Sequence, residues 1–209
     1  MTSFDSYVKD EFTAHDWSHE FGRYVHLRRL EILRKLIAGQ QSSFALDVGC
    51  GGGYLKEIGV SEVVGIDITT SRAVTVIASA EYLPFRDQSF ELLFAGEVIE
   101  HLSEPGRALK DWVRVLGKAG RVIISTPNGI LVDRSWNPDH RRMFTARDLR
   151  HAIELLGFGT IRSTGIFTGL FSGKRLFRWI PLEGFKMAAL RLPVPLMLSY
   201  DFFISAEKK

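Results

Sequence analysis

The chain has 209 residues, 45% of them hydrophobic, which is enough to bury one substantial core and lies within the usual range of a single domain spanning 1–209. Its 27 Lys and Arg against 24 Asp and Glu give a formal net charge of +3, a mildly basic balance that suits anionic substrates or surfaces and falls well short of a dedicated nucleic-acid binder. Cys50, the single cysteine, excludes an internal disulfide; the N-terminus lacks the layout of a secretory leader, and Pro193, Pro195 and Asp201 break the longest apolar run, so a cytoplasmic protein without a membrane span is expected.

Residues 1–20 are acidic and irregular, with Asp5, Asp10, Glu11, Asp16 and Glu20 against Lys9, and read as a mobile arm in which His15 and His19 flank Trp17 as surface residues. Tyr24, Leu27, Leu30, Leu33 and Ile37 then keep helical spacing, predicting an N-terminal helix over 21–38 that Gly39 ends. Short apolar or β-branched runs at 44–48, 62–67, 74–79, 90–95 and 121–125 alternate with glycines and helical stretches, the pattern of a parallel sheet. Pro105 opens a helix that Gly117 closes, and Thr145 with Asp148 forms a capping box for another that ends at Gly157. The helix after the first strand is cut short by Gly59, and residues 68–73 leave too little chain for a normal crossover after the second. The face beside strands two and three is therefore thinly covered, a candidate homodimer contact.

Asp47-Val-Gly49-Cys50-Gly51-Gly-Gly53 follows the first strand, where the chain must turn sharply and let a ligand approach the backbone. Tyr54 occupies the place of the third glycine of a dinucleotide fingerprint, which disfavours a nicotinamide enzyme. Asp67 ends the second strand, where a carboxylate can accept ribose hydroxyls or serve a turn. Glu97, Glu100 and His101 follow the fourth strand. If they start a helix they share one face, and with His140 they make a ligand set for a divalent cation. The alternative is that Glu97 contacts cofactor or substrate while His101 forms local hydrogen bonds. Cys50 has no base at an obvious spacing and receives no catalytic role.

Ala45-Leu-Asp-Val-Gly-Cys-Gly-Gly-Gly-Tyr-Leu55, Val64-Gly-Ile-Asp67, Ala80-Glu-Tyr-Leu-Pro-Phe85 and Glu97-Val-Ile-Glu-His-Leu102 follow one another as in class I S-adenosylmethionine-dependent methyltransferases. The resemblance covers residues 44–160 and is greatest to the branch holding ubiquinone-pathway and small-RNA O-methyltransferases. It implies a doubly wound, mostly parallel seven-stranded α/β sheet whose sixth and seventh strands fall at 160–167 and 196–205, the last one antiparallel. It implies that Asp47, Gly49 and Gly51 hold the methionine part of S-adenosyl-L-methionine, with Cys50 (through its backbone) and Gly53 completing the loop. Asp67 would hold the ribose, Ile68 would pack on adenine, and the segment Ala80-Glu81 would read the ring edge. Ser79 stands where the family commonly has an aspartate. Glu97 and His101 would be catalytic, and Glu97, Glu100, His101 and His140 would hold a metal that organises the acceptor oxygen.

Residues 170–195 carry Lys174, Arg175, Arg178, Lys186 and Arg191 against Glu183, interleaved with Phe171, Leu176, Phe177, Trp179, Ile180, Phe185 and Met187. Such a basic, apolar stretch over 166–195 reads as core or a lid over an apolar substrate, or as a segment in weak contact with an anionic membrane surface. Arg134, Arg141, Arg142, Arg147 and Arg150 add charge that suits a phosphate or carboxylate on the substrate. The function expected is methyl transfer to a hydroxyl oxygen of a small or lipid-like, anionic acceptor. The alternatives are an N-methyltransferase without metal and a cofactor-binding regulatory or scaffold protein.

Overall fold

The computed structural model describes residues 19–40, 43–132, 137–166, 196 and 199–209. In chain order the elements are α1 (His19–Leu36), β1 (Phe44–Val48), α2 (Tyr54–Glu57), β2 (Glu62–Asp67), β3 (Val76–Ile77), β4 (Phe90–Gly96), a 3₁₀ turn (Ile99–His101), α3 (Pro105–Val115), β5 (Leu116–Pro127), α4 (Ala146–Leu155), β6 (Phe158–Ile166) and β7 (Asp201–Lys208). They build one seven-stranded sheet in the order β3-β2-β1-β4-β5-β7-β6. The strands run parallel except β7, which enters antiparallel between β5 and β6.

β1 lies inside the sheet between β2 and β4, and Ala45 to Val48 are all buried, the continuous run of a strand covered on both faces. Side-chain alternation sends Leu93, Ala95, Val122, Ile124, Phe202 and Ile204 to the face beneath α3 and α4, and Leu92, Phe94, Ile123 and Phe203 to the face beneath α1. On α1 the buried stripe is Val25, Arg29, Ile32 and Leu33, with Leu30 beside it. Leu27, expected in that stripe, faces solvent instead. On α3, Trp112 is buried in the core and its indole N–H donates to the Ala80 carbonyl at 2.8 Å, tying the helix to the segment after β3.

The thin connections expected from sequence are present. α2 is a single turn of four residues, and no helix lies between β2 and β3. β3 is shorter than the run at 74–79 predicts, because an edge strand has β2 alone to pair with. Single bonds from Thr75 N–H to Gly65 O and from Ala78 N–H to Asp67 O extend the ladder at each end. No helix among the described residues is long and apolar enough to cross a membrane. Most of the N-terminal arm, together with Arg134 and the basic stretch at 167–195 including Trp179, lies outside the described residues.

Thr145 caps α4: its Oγ1 accepts from the Asp148 N–H at 3.2 Å and bonds the Asp148 carboxylate at 2.7 Å. Losing a cap of this kind costs about 1 kcal/mol. Thr145→Ala should therefore lower the unfolding free energy by about 1 kcal/mol in urea titrations, with the slope unchanged.

Candidate active site

The turn out of β1 is made by glycines in left-handed conformation: Gly49 at φ +62, Gly51 at +45 and Gly53 at +87. Two of them also give close approach. A Cβ on Gly49 would stand 2.4 Å from Val98 Cγ2, and one on Gly53 would stand 2.7 Å from Ala73 Cβ. At Gly51 the space is open, so the backbone there faces room for a ligand. Asp47 lies beneath the loop, fully buried, with a long 3.5 Å bond from the Leu55 N–H. Burial pushes its carboxyl up to about 8, only partly opposed by that bond. Burial likewise pushes the Cys50 thiol up to about 12, so it is no nucleophile near neutral pH.

Asp67 meets this loop. One carboxylate oxygen accepts from the Gly51 N–H at 3.1 Å, and the other accepts from both the Thr69 N–H and hydroxyl at 3.0 Å. The second arrangement is the turn role open to an aspartate at a strand end. Ile68 beside it is 74% exposed, an apolar surface next to the carboxylate. Ala80 is buried with its carbonyl on Trp112, and Ser79 Oγ accepts from the Glu81 N–H at 3.2 Å. The Glu81 carboxylate turns away to accept from the Glu104 N–H at 2.9 Å, at the start of α3. Its contact in this structure is thus to the end of a helix.

The Glu-x-x-Glu-His stretch does not form the single helical face expected. Glu97 takes φ +56, and a short 3₁₀ turn follows, so the two glutamates diverge. The end of β5 sorts them. Ser125 Oγ bonds Glu97 Oε1 at 2.9 Å, whereas Thr126, which points to the opposite face, bonds Glu100 Oε2 at 2.9 Å. Glu97 also pairs with Arg29 Nη2 at 2.7 Å, and the same guanidinium forks onto Asp201 Oδ2 at 3.0 and 2.7 Å. Burial raises the Glu97 carboxyl well above its ordinary range; Arg29 opposes this, and Asp201 and Glu100 add to it.

Glu100 is completely buried, and its Oε1 has no hydrogen-bond partner among the described residues. One potential ligand atom from each of Glu100, His101 and His140 lies within 4.8 Å of the other two. The structure thus brings together three of the four residues expected to hold a metal, with Glu97 apart on Arg29. His101 Nδ1 is 3.2 Å from the Asp139 carbonyl, so as the donor there it leaves Nε2 available. His140 packs edge-on against His101 with centroids 4.9 Å apart. Burial, with His101 adding to it, lowers His140 to about 4 and keeps the ring neutral at pH 7. The Arg141 and Arg142 amides both donate to the Glu100 carbonyl, at 2.8 and 3.1 Å, and fix the His140 loop on this turn.

Arg29 and Asp201 were not among the sequence candidates. The available signals were an arginine inside the buried stripe of α1 and a lone carboxylate heading the apolar run Phe202-Phe203-Ile204.

A carboxyl whose folded value is raised contributes stability that is present below its unfolded value, near 3.8 for Asp47, and is lost as pH rises through about 8. Asp47→Asn should keep the fold and flatten the decline of unfolding free energy between about pH 4 and about pH 8, followed by urea denaturation.

Residues 46–124 match the sequence model of a methyltransferase domain family. Over 160 residues the chain is 29% identical to a protein of Mycolicibacterium smegmatis described as a "probable S-adenosylmethionine-dependent methyltransferase", covering 68% of this chain and 62% of that one. It is 28% identical over 146 residues to a ubiquinone biosynthesis O-methyltransferase of Pseudomonas putida, covering 58% of this chain and 62% of that one. The chain thus spans less than two thirds of the length of these curated relatives. A SAM-dependent methyltransferase structure from Archaeoglobus fulgidus has the same fold, with a TM-score of 0.66 at 18% identity over 99% of this chain and 100% of that one. Residues 46–124 thus resemble a methyltransferase domain, and the chain is similar to proteins described as S-adenosylmethionine-dependent methyltransferases.

Proposed function

We propose that the chain transfers the methyl group of S-adenosylmethionine to a hydroxyl oxygen of a small or lipid-like, anionic acceptor, with a divalent cation held by Glu100, His101 and His140. The observation that carries this reading is the meeting of two groups at the carboxyl edge of the parallel strands: the glycine loop with Asp67, and the buried carboxylate with two imidazoles. Ligands of open α/β sheets bind at that edge.

The residues fit the cofactor. Gly51 faces open space, and the exposed Ile68 offers an apolar seat beside Asp67 for a nucleoside. Asp47 and the loop amides beneath would serve the amino-acid end. S-adenosylmethionine, when bound, supplies an electrophilic methyl, and the protein's work is alignment and exclusion of water.

The donors also fit a cation. Glu100 Oε1 is buried without a partner among the described residues, and two imidazoles beside it favour manganese, cobalt or iron over magnesium. A divalent cation bound there supplies the charge that lowers the pKa of an acceptor hydroxyl. His140, neutral because it is buried, needs no proton removed to serve as a ligand. The carboxylate of Glu97, held by Arg29 and Ser125, would accept a hydrogen bond from substrate. The exposed Arg141 and Arg142, next in sequence to His140, support an anionic acceptor.

Calorimetry should show S-adenosylhomocysteine binding to the wild type, with Asp67→Ala weakening it by about tenfold or more as a charged acceptor is lost. Paramagnetic resonance should show free manganese disappearing on addition of protein, and His140→Ala should abolish that uptake while leaving S-adenosylhomocysteine binding intact. A folded wild type that binds no S-adenosylhomocysteine contradicts the cofactor reading. One that binds it but takes up no cation returns Glu100, His101 and His140 to hydrogen-bonding roles in a metal-free transferase.

A further inference from the structure

His26 and Arg29 stand one turn apart on α1 and share a face of the helix. Arg29 reaches Glu97 and Asp201, on the acceptor side of the site. His26 reaches the cofactor loop: its Nδ1 is 3.2 Å from the Tyr54 hydroxyl and its Nε2 is 3.2 Å from Glu57 Oε1. Glu57 accepting from Nε2–H selects the tautomer in which Nδ1 is a bare acceptor, and a phenol hydroxyl is the donor that suits it. A carboxylate, an imidazole and a phenol thus form one chain of hydrogen bonds, with the imidazole side chain only 13% exposed.

Tyr54 follows Gly53 directly and opens α2. That helix is one turn long, too short to hold its own shape, because a single turn gains few hydrogen bonds for the dihedrals it fixes. The exit of the glycine loop therefore needs a brace from elsewhere. Behind Tyr54 the ring of Phe94 packs edge-on at 6.2 Å, and in front the His26 ring lies at 5.2 Å.

We propose that His26 is a positioning residue for the cofactor loop: through Tyr54 and Glu57 it holds the trimmed α2 in the conformation that binds S-adenosylmethionine. With Arg29 on the same helix face, α1 becomes the rigid member to which both the cofactor loop and Glu97 are fixed. The proposal rests on the reading of residues 49–53 as the S-adenosylmethionine site.

The test is calorimetric binding of S-adenosylhomocysteine. Tyr54→Phe, which removes the phenol bond alone, should weaken it about threefold, and His26→Ala, which removes that bond and the one to Glu57, about fivefold; the double variant should be no worse than His26→Ala, in which the phenol bond is already lost. His26→Gln, whose amide can accept from the phenol and donate to Glu57, should return to within about twofold of wild type. Arg121→Gln is the control. It removes the tie from Arg121 Nη1 to the Leu36 carbonyl at the other end of α1, at 2.9 Å, so it should lower Tm and leave the affinity unchanged. Affinity unchanged in His26→Ala, or lost equally in Arg121→Gln, overturns the proposal while the cofactor reading stands. A folded wild type that does not bind at all overturns both.

Discussion

Burying a carboxylate costs several kcal/mol unless a partner is buried with it, and at the carboxyl edge of this sheet Arg29 is that partner for two of them. It lies between Glu97 and Asp201, joining α1 to the end of β4 and the start of β7, and it is itself 8% exposed. Strand periodicity then decides which carboxylates it can reach. Ser125 and Thr126 are neighbours in β5 and point to opposite faces, so Glu97 is drawn toward α1 and Glu100 away from it. Glu100 is left with one hydroxyl and two imidazoles. Burial pushes its carboxyl up to about 8, an environment that asks for a proton or a cation.

The glycine loop depends on the same helix for a different reason. Short connections after β1 and β2 leave the glycine loop with one turn of α2 behind it and no helix over the next crossover. Gly49 is pressed against Val98 and Gly53 against Ala73, which locks the base of the loop to the sheet, while Gly51 stays open above Asp67. The exit is held by His26, from α1. One amphipathic helix thereby braces both the exit of the glycine loop and Glu97, and side chains of α1 stand in for the helices omitted from the usual crossovers.

Much of this was legible in the sequence, where local physics decides. β1 and β2 match their predicted ranges because each is an apolar run closed by a glycine turn or a carboxylate, and Thr145 announces α4 by a capping pattern that the structure bears out. The glycine loop and Asp67 were found together because both fall at strand ends. What sequence spacing could not show was backbone sign: Glu97 at φ +56 defeats a helical reading of Glu97, Glu100 and His101. Nor could it show pairs distant in the chain. Arg29 and Asp201 are 172 residues apart, and His26 and Tyr54 are 28 apart. Arginine in a buried stripe and aspartate before Phe202 were the visible traces of such a pair, and only the fold joins them.

We propose that one edge of the sheet holds S-adenosylmethionine and, beside it, a cation on Glu100, His101 and His140. A crystal structure of the protein grown with S-adenosylhomocysteine and manganese tests it most directly. The ribose is expected on Asp67, with an anomalous manganese peak within ligand distance of Glu100, His101 and His140, and Glu97 still paired with Arg29. S-adenosylhomocysteine bound away from the glycine loop, or a manganese peak absent from that trio, would contradict it.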